Sequence, residues 1–242
     1  MGSGIKRVGI VLLIFLGPGL VILFIAKSCD NHFIELPYLG WEYTLDSSGK
    51  KIDSTAYNIP EFTLTKFDGT PITRDSIRGK FIILSTLQNT CPTLEECGMG
   101  VYLFNELLFQ KIVENQGKNR YGNVKVISIL TDINGNPDTV ISESLRQEMA
   151  IYNQSIWWMA TGDPSPLFSF NYYGDNFMNH PASNKDGEVG TKAFVNSLVL
   201  IDDKGFIRGV SGAKRDTDIR NFFDMLKLLK KEEFKANRAK NK

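Results

Sequence analysis

KFIILSTLQNTCPTLEEC, residues 80–97, is the stretch on which the reading of the chain turns. It opens with Phe81, Ile82, Ile83 and Leu84, an apolar run of the kind buried in a sheet core. A mostly polar run, residues 85–90, leads to Cys91-Pro92. Residues 93–96 are expected to form the first turn of a helix that carries Cys97. Two thiols are then delivered to the end of a buried strand and the start of a helix. Backbone N–H groups and the helix dipole favour thiolate over thiol there. Such a place suits redox chemistry or a soft metal.

Outward from this stretch, composition narrows the field. The chain has 242 residues, 42% of them apolar and 23% charged, which is ordinary for a globular protein. A net charge of +1 gives no whole-protein electrostatic case for nucleic acid. Three cysteines (Cys29, Cys91, Cys97) and two histidines (His32, His180) are too few for a disulfide framework or a two-zinc module. They are enough for one dithiol pair and one imidazole.

Residues 8–26, VGIVLLIFLGPGLVILFIA, carry no charge and match the roughly 20 residues that span a bilayer core. Lys6 and Arg7 precede them, so residues 1–7 are expected in the cytoplasm and the remainder beyond the membrane. The expected location is thus the cell (inner) membrane, single-pass, with the C-terminal domain on the periplasmic side. Gly17-Pro18-Gly19 is expected to kink the span. Residues 25–28 fit a cleavage site poorly, and Lys27 argues against lipidation at Cys29. An uncleaved anchor is preferred to either. Export places Cys91 and Cys97 in an oxidising compartment.

Residues 27–59 read as a membrane-proximal segment with a loose hairpin around the polar turn 46–51. Residues 62–65 alternate like a strand before the Asp68-Gly69 turn. After Cys97, residues 101–116 show helical spacing of Val101, Phe104, Leu107, Leu108 and Ile112. Residues 123–131 form a second buried strand, 139–153 a helix, 157–160 a short strand and 167–173 a helical turn. Residues 177–191 read as loop, 197–202 and 206–209 as a hairpin, 216–235 as an amphipathic helix and 236–242 as a basic tail. The order after Lys80 is β-α-β-α-β-β-α, which implies an α/β sheet with helices on both faces. Cysteines at its first strand-to-helix junction make residues 60–235 a thioredoxin-like domain.

With those residues in view, residues 62–230 resemble the SCO/SenC family. The resemblance rests on Asp68-Gly69, Gly79-Lys80 with the strand after it, Thr90-Cys91-Pro92-Thr93, the strand 124–131 and LVLIDDKGFIR at 198–208. It implies a membrane-anchored, thioredoxin-like protein that handles copper in building cytochrome c oxidase. It also implies a partner, the copper-bearing oxidase subunit or another thiol protein. The family pattern is C-x-x-x-C-P with a His far downstream, just ahead of the hairpin. Two thiolates and an imidazole suit copper.

This chain departs from that pattern twice. Its cysteines are spaced C-x5-C, and Phe194 stands where the family's His is expected. His180, in Asn179-His180-Pro181, is the downstream imidazole left as a candidate ligand beside Cys91 and Cys97. Residues i and i+6 lie about 120° apart around an ideal helix, so a loop or distorted turn is needed to join the sulfurs. Two other readings stay open. One is a tethered thiol–disulfide oxidoreductase with Cys91 attacking and Cys97 resolving. The other is a degenerate scaffold that keeps only the fold. Glu95 and Glu96 raise a nearby thiol's pKa and weigh against a fast reductase. Asp132 reads as a strand-end cap or a contact to the cysteine loop; Trp157, Trp158, Tyr172 and Tyr173 read as packing residues.

Overall fold

A computed structural model describes residues 35–93, 95–116, 120–183 and 188–240, together with 16–19, 21, 22 and 24. The chain forms two compact units, Met1–Glu35 and Leu36–Lys242. In the first, residues 16–19, 21, 22 and 24 are helical. Most of the expected span 8–26, all of residues 1–7, and Cys29 and His32 lie outside the described residues. Among the described residues no helix is long and apolar enough to cross a membrane.

The second unit begins with a hairpin, β1 (Glu42–Leu45) and β2 (Lys51–Thr55), as its polar turn predicts. Every residue of both strands is exposed, and they form a sheet of their own. A second hairpin, β3 (Thr63–Lys66) and β4 (Pro71–Thr73), turns at Asp68-Gly69, where Gly69 takes a φ of 86°. A four-residue helix, α1 (Arg74–Ile77), leads to β5 (Phe81–Leu87), buried at all seven positions. Next come α2 (Val101–Phe104), a π-helical turn (Asn105–Phe109) and α3 (Gln110–Asn115). β6 (Val124–Leu130), α4 (Glu143–Met149), β7 (Trp157–Thr161) and α5 (Ser165–Phe168) follow. A small hairpin, β8 (Asn171–Tyr172) and β9 (Asp175–Asn176), precedes β10 (Ser197–Ile201), β11 (Ile207–Gly212) and α6 (Asp216–Lys240).

The main sheet runs β11-β10-β5-β6-β7-β3-β4. β5, β6 and β7 are parallel, and β10 returns antiparallel beside β5. A βαβ unit joined through its first strand to a ββα unit makes the fold thioredoxin-like. Alternation along β5 divides the core. Phe81, Ile83 and Leu87 pack with Phe104, Leu108, Trp157, Leu145, Phe222 and Leu226. Ile82 and Leu84 pack on the opposite side with Ile59, Phe168, Phe170, Phe177 and Phe194. Trp157 hydrogen-bonds from Nε1 to Ser128 Oγ (2.8 Å), and that hydroxyl meets Ser85 Oγ (2.7 Å), so the buried polar atoms between the strands are satisfied.

Several expectations are corrected here. The longer helices do not cover both faces. α2, α3, α4 and α6 share the first face, and one-turn helices and aromatic loop segments close the second. The helix expected at 139–153 is α4 alone, because Ser142 caps it by accepting Leu145 N–H (3.2 Å). The turn expected at 167–173 ends at Phe168 and gives way to β8. Tyr173, expected to pack, is 87% exposed, with a left-handed φ of 51° in the tight β8–β9 turn. The tail is not separate from the last helix, since α6 continues to Lys240.

Candidate functional site: the Cys91–Cys97 loop

Cys91 and Cys97 form a disulfide with a Cα–Cα distance of 4.9 Å. Six residues of α-helix would span about 9 Å, too far for this bond. Among the described residues, 95 and 96 form a hydrogen-bonded turn and no helix is assigned before Val101. Cys91 N–H donates to Gln88 O (2.9 Å), Thr93 N–H to Thr90 O (3.1 Å), and Glu96 and Cys97 N–H to Thr93 O (both 3.1 Å). These consecutive turns bring the sulfurs together, and α2 begins only at Val101. The helix dipole therefore does not act at Cys97 itself. Both cysteines are buried, Cys91 at 4% exposure and Cys97 at 0%.

Around the pair lies a polar network that the sequence reading missed. Gln88, 2% exposed, donates from Nε2 to Thr86 Oγ1 and Thr131 Oγ1 (both 3.1 Å). Its Oε1 accepts Gly98 N–H (2.6 Å), and its own main-chain N–H points at Cys91 Sγ (3.2 Å). Thr90 Oγ1 donates to Glu96 O (2.8 Å) across the loop. Asn89 fastens the loop's start to the β6–α4 connection. It donates to Asp138 Oδ2 (2.8 Å) and Val140 O (2.7 Å) and accepts Ser142 N–H (2.7 Å). A buried amide bracketed by a strand and a cysteine was the available signal for Gln88, but its partners Thr131 and Gly98 are remote in sequence.

The family's His position, Phe194, lies in a 3-10 turn (Ala193–Asn196) against this loop. Val195 O accepts Thr86 Oγ1–H (2.9 Å), and a Cβ on Gly98 would collide with that same carbonyl. The Phe194 ring turns into the second core, 4.9 Å from the Phe168 ring. His180 ends another 3-10 turn (Phe177–Asn179), with its ring edge-on to Tyr172 at 5.5 Å. Its carbonyl accepts Ala193 N–H (2.9 Å), and its Nδ1 is buried with no hydrogen-bond partner. It lines a cavity of about 350 Å³ with Tyr172, Tyr173, Glu188 and Asp218. Among the described residues, no group of three or more His, Cys, Asp or Glu is arranged to hold a metal. The structure thus brings Cys91 and Cys97 together and places His180 one turn removed, through residues 193–196. Asp132 caps its own turn at residues 134–136, and Trp157 is core.

No family model and no curated protein matches the chain. Among solved structures, it is similar to BsSco, a member of the Sco family of cytochrome c oxidase assembly proteins. Identity is 15%, covering 72% of this chain and 94% of that one, with a TM-score of 0.48. It is similar to a SCO1/SenC family lipoprotein from Bacillus anthracis str. Ames (21%, 72% and 95%, 0.48). It is also similar to copper-bound ScoI from Bradyrhizobium japonicum (18%, 72% and 99%, 0.45). These three neighbours are Sco proteins.

Proposed function

We propose that the chain is a divergent SCO/SenC-type protein that carries copper on the reduced Cys91–Cys97 pair toward the copper-bearing subunit of cytochrome c oxidase. The observation that carries this reading is the cysteine pair closed at the end of β5 in a thioredoxin-like sheet. Reduced, the pair offers two soft thiolates suited to Cu(I); closed, it offers none, so loading depends on redox state. His180 is the third ligand in this proposal. Its unpartnered Nδ1 and its main-chain link to the turn beside Gly98 support that role. Residues 8–26 anchor the protein in the cell membrane, with residues 60–235 on the periplasmic side.

The test is copper content of the reduced full-length chain in detergent, after competition with a Cu(I) chelator. One copper per chain is expected, lost in Cys91→Ala and Cys97→Ala and weakened in His180→Ala. Unchanged copper in both cysteine variants would sink the reading. The formed disulfide also favours a second reading, a tethered thiol–disulfide oxidoreductase. In that case Cys97→Ser traps a mixed disulfide between Cys91 and a partner's cysteine.

A further inference from the structure

We propose that Gln88 is a positioning residue of the cysteine pair. Its buried carboxamide holds the loop closed through Gly98. The inference rests on the redox competence of the pair and is independent of copper.

A buried primary amide is costly unless its hydrogen bonds are made. Gln88 meets that condition in one orientation only. Thr86 is already committed as a donor to Val195 O, so its oxygen serves Gln88 as an acceptor, and Thr131 Oγ1 takes the amide's second N–H. With the nitrogen fixed between β5 and the end of β6, Oε1 faces the loop and accepts Gly98 N–H. A flipped amide would set N–H against N–H. Gly98 has a single seat, since it lies directly against the Val195 carbonyl. The residue after Cys97 is thereby tied to the sheet that carries Cys91.

Reduction by an external dithiol takes two steps. The donor's thiolate attacks one sulfur and the Cys91–Cys97 bond breaks. The donor's second thiol then resolves the mixed disulfide. Two electrons and two protons pass to the pair, leaving two thiols here and a disulfide on the donor. Cys91 Sγ lies 3.2 Å from Gln88 N and 3.9 Å from Gln88 Oε1. Among the described residues, Cys97 Sγ accepts no hydrogen bond. Reclosure needs Cys97 returned to Cys91, and the Gln88–Gly98 bond returns it.

The test equilibrates the full-length protein with dithiothreitol buffers and measures the fraction of closed disulfide. Gln88→Met should lower the equilibrium constant for disulfide closure about tenfold, or about 30 mV toward easier reduction. Ser128→Ala removes an equally buried polar group from the same sheet and should leave closure unchanged. Closure unchanged in Gln88→Met, or lowered alike in Ser128→Ala, overturns the positioning role. Loss of copper binding with these results intact would remove the proposed cargo and leave Gln88 in place.

Discussion

Asp132 shows how much one side chain does just past β6. Its Oδ1 accepts the N–H groups of Asn134 and Asn136 (both 2.8 Å), its Oδ2 accepts Asn136 Nδ2 (2.8 Å), and its carbonyl accepts Gly135 N–H (3.0 Å). Burial alone would raise its carboxyl pKa. The hydrogen bonds from Asn136, Asn134 and Gly135 together outweigh that and hold it below the usual carboxylate range. A depressed folded pKa contributes stability that is fully present above the unfolded value of roughly 3.9 and is lost as pH falls through the lower folded value. Asp132→Ala should therefore cost about 1 kcal/mol at pH 7, the usual cost of a lost cap. Urea denaturation at descending pH should show the gap between variant and parent narrowing below about pH 4. A gap as wide at pH 3 as at pH 7 would mean that the carboxylate's charge is not what the turn uses.

At the scale of elements, Arg208 of β11 joins parts of the chain that share no local pattern. Its guanidinium meets Asp202 Oδ2 (3.2 Å) and Glu232 Oε2 (2.7 Å) and donates to Leu36 O (2.6 Å). Leu36 N–H in turn donates to Glu232 Oε1 (2.6 Å). The β10–β11 hairpin, α6 and the entry segment are thus locked to one side chain, itself buried. Arg208→Met removes the cation and leaves Asp202, 4% exposed, and Glu232, 16% exposed, without it. The expected cost is about 3–5 kcal/mol in chemical denaturation, the range for breaking a buried pair from one side. A loss under 1 kcal/mol would show that water replaces the guanidinium. The elements themselves were legible in the sequence. β5, β6 and β10 are apolar runs, the 46–51 and 68–69 turns carry Gly beside polar residues, and α6 shows helical spacing. The cysteine pair was legible too, and so was its need for a loop. What stayed hidden depends on partners distant in sequence. Arg208 reads as an ordinary hairpin arginine until Glu232 arrives 24 residues later. Gln88 reads as loop until Thr131 and Gly98 enclose it. The face each helix covers is fixed by crossover and packing, which periodicity does not encode. The turn at residues 95–96 carries Cys97 as expected, but the continuous helix starts only at Val101.

For the molecule as a whole, a pair that cycles between dithiol and disulfide requires a fold that does not depend on the bond. The two cores on either side of the sheet are each built from residues drawn from several strands, and Cys91 and Cys97 are packed within the first of them. The bridge closes a short loop, with a sequence separation of 6. Chain-entropy arguments for so small a loop give about 2 kcal/mol of stabilisation, near the low end for disulfides. In a domain of this size, each kcal/mol corresponds to roughly 2–4 °C in Tm, so reduction should lower Tm by roughly 4–8 °C. The reduced protein should still unfold in one cooperative transition. The measurement is calorimetry of the oxidised protein, the protein in excess reductant, and the Cys91→Ala/Cys97→Ala double variant. The last two should agree, because both lack the bond and neither disturbs the sheet. Reduced protein that fails to fold would make the bridge a structural staple, a role incompatible with repeated loading of a thiolate-bound cargo. Reduced protein with no loss of stability would mean that Gln88 and Gly98 already hold the loop shut without it. In that case the loop's geometry belongs to the hydrogen bonds and not to the covalent bond.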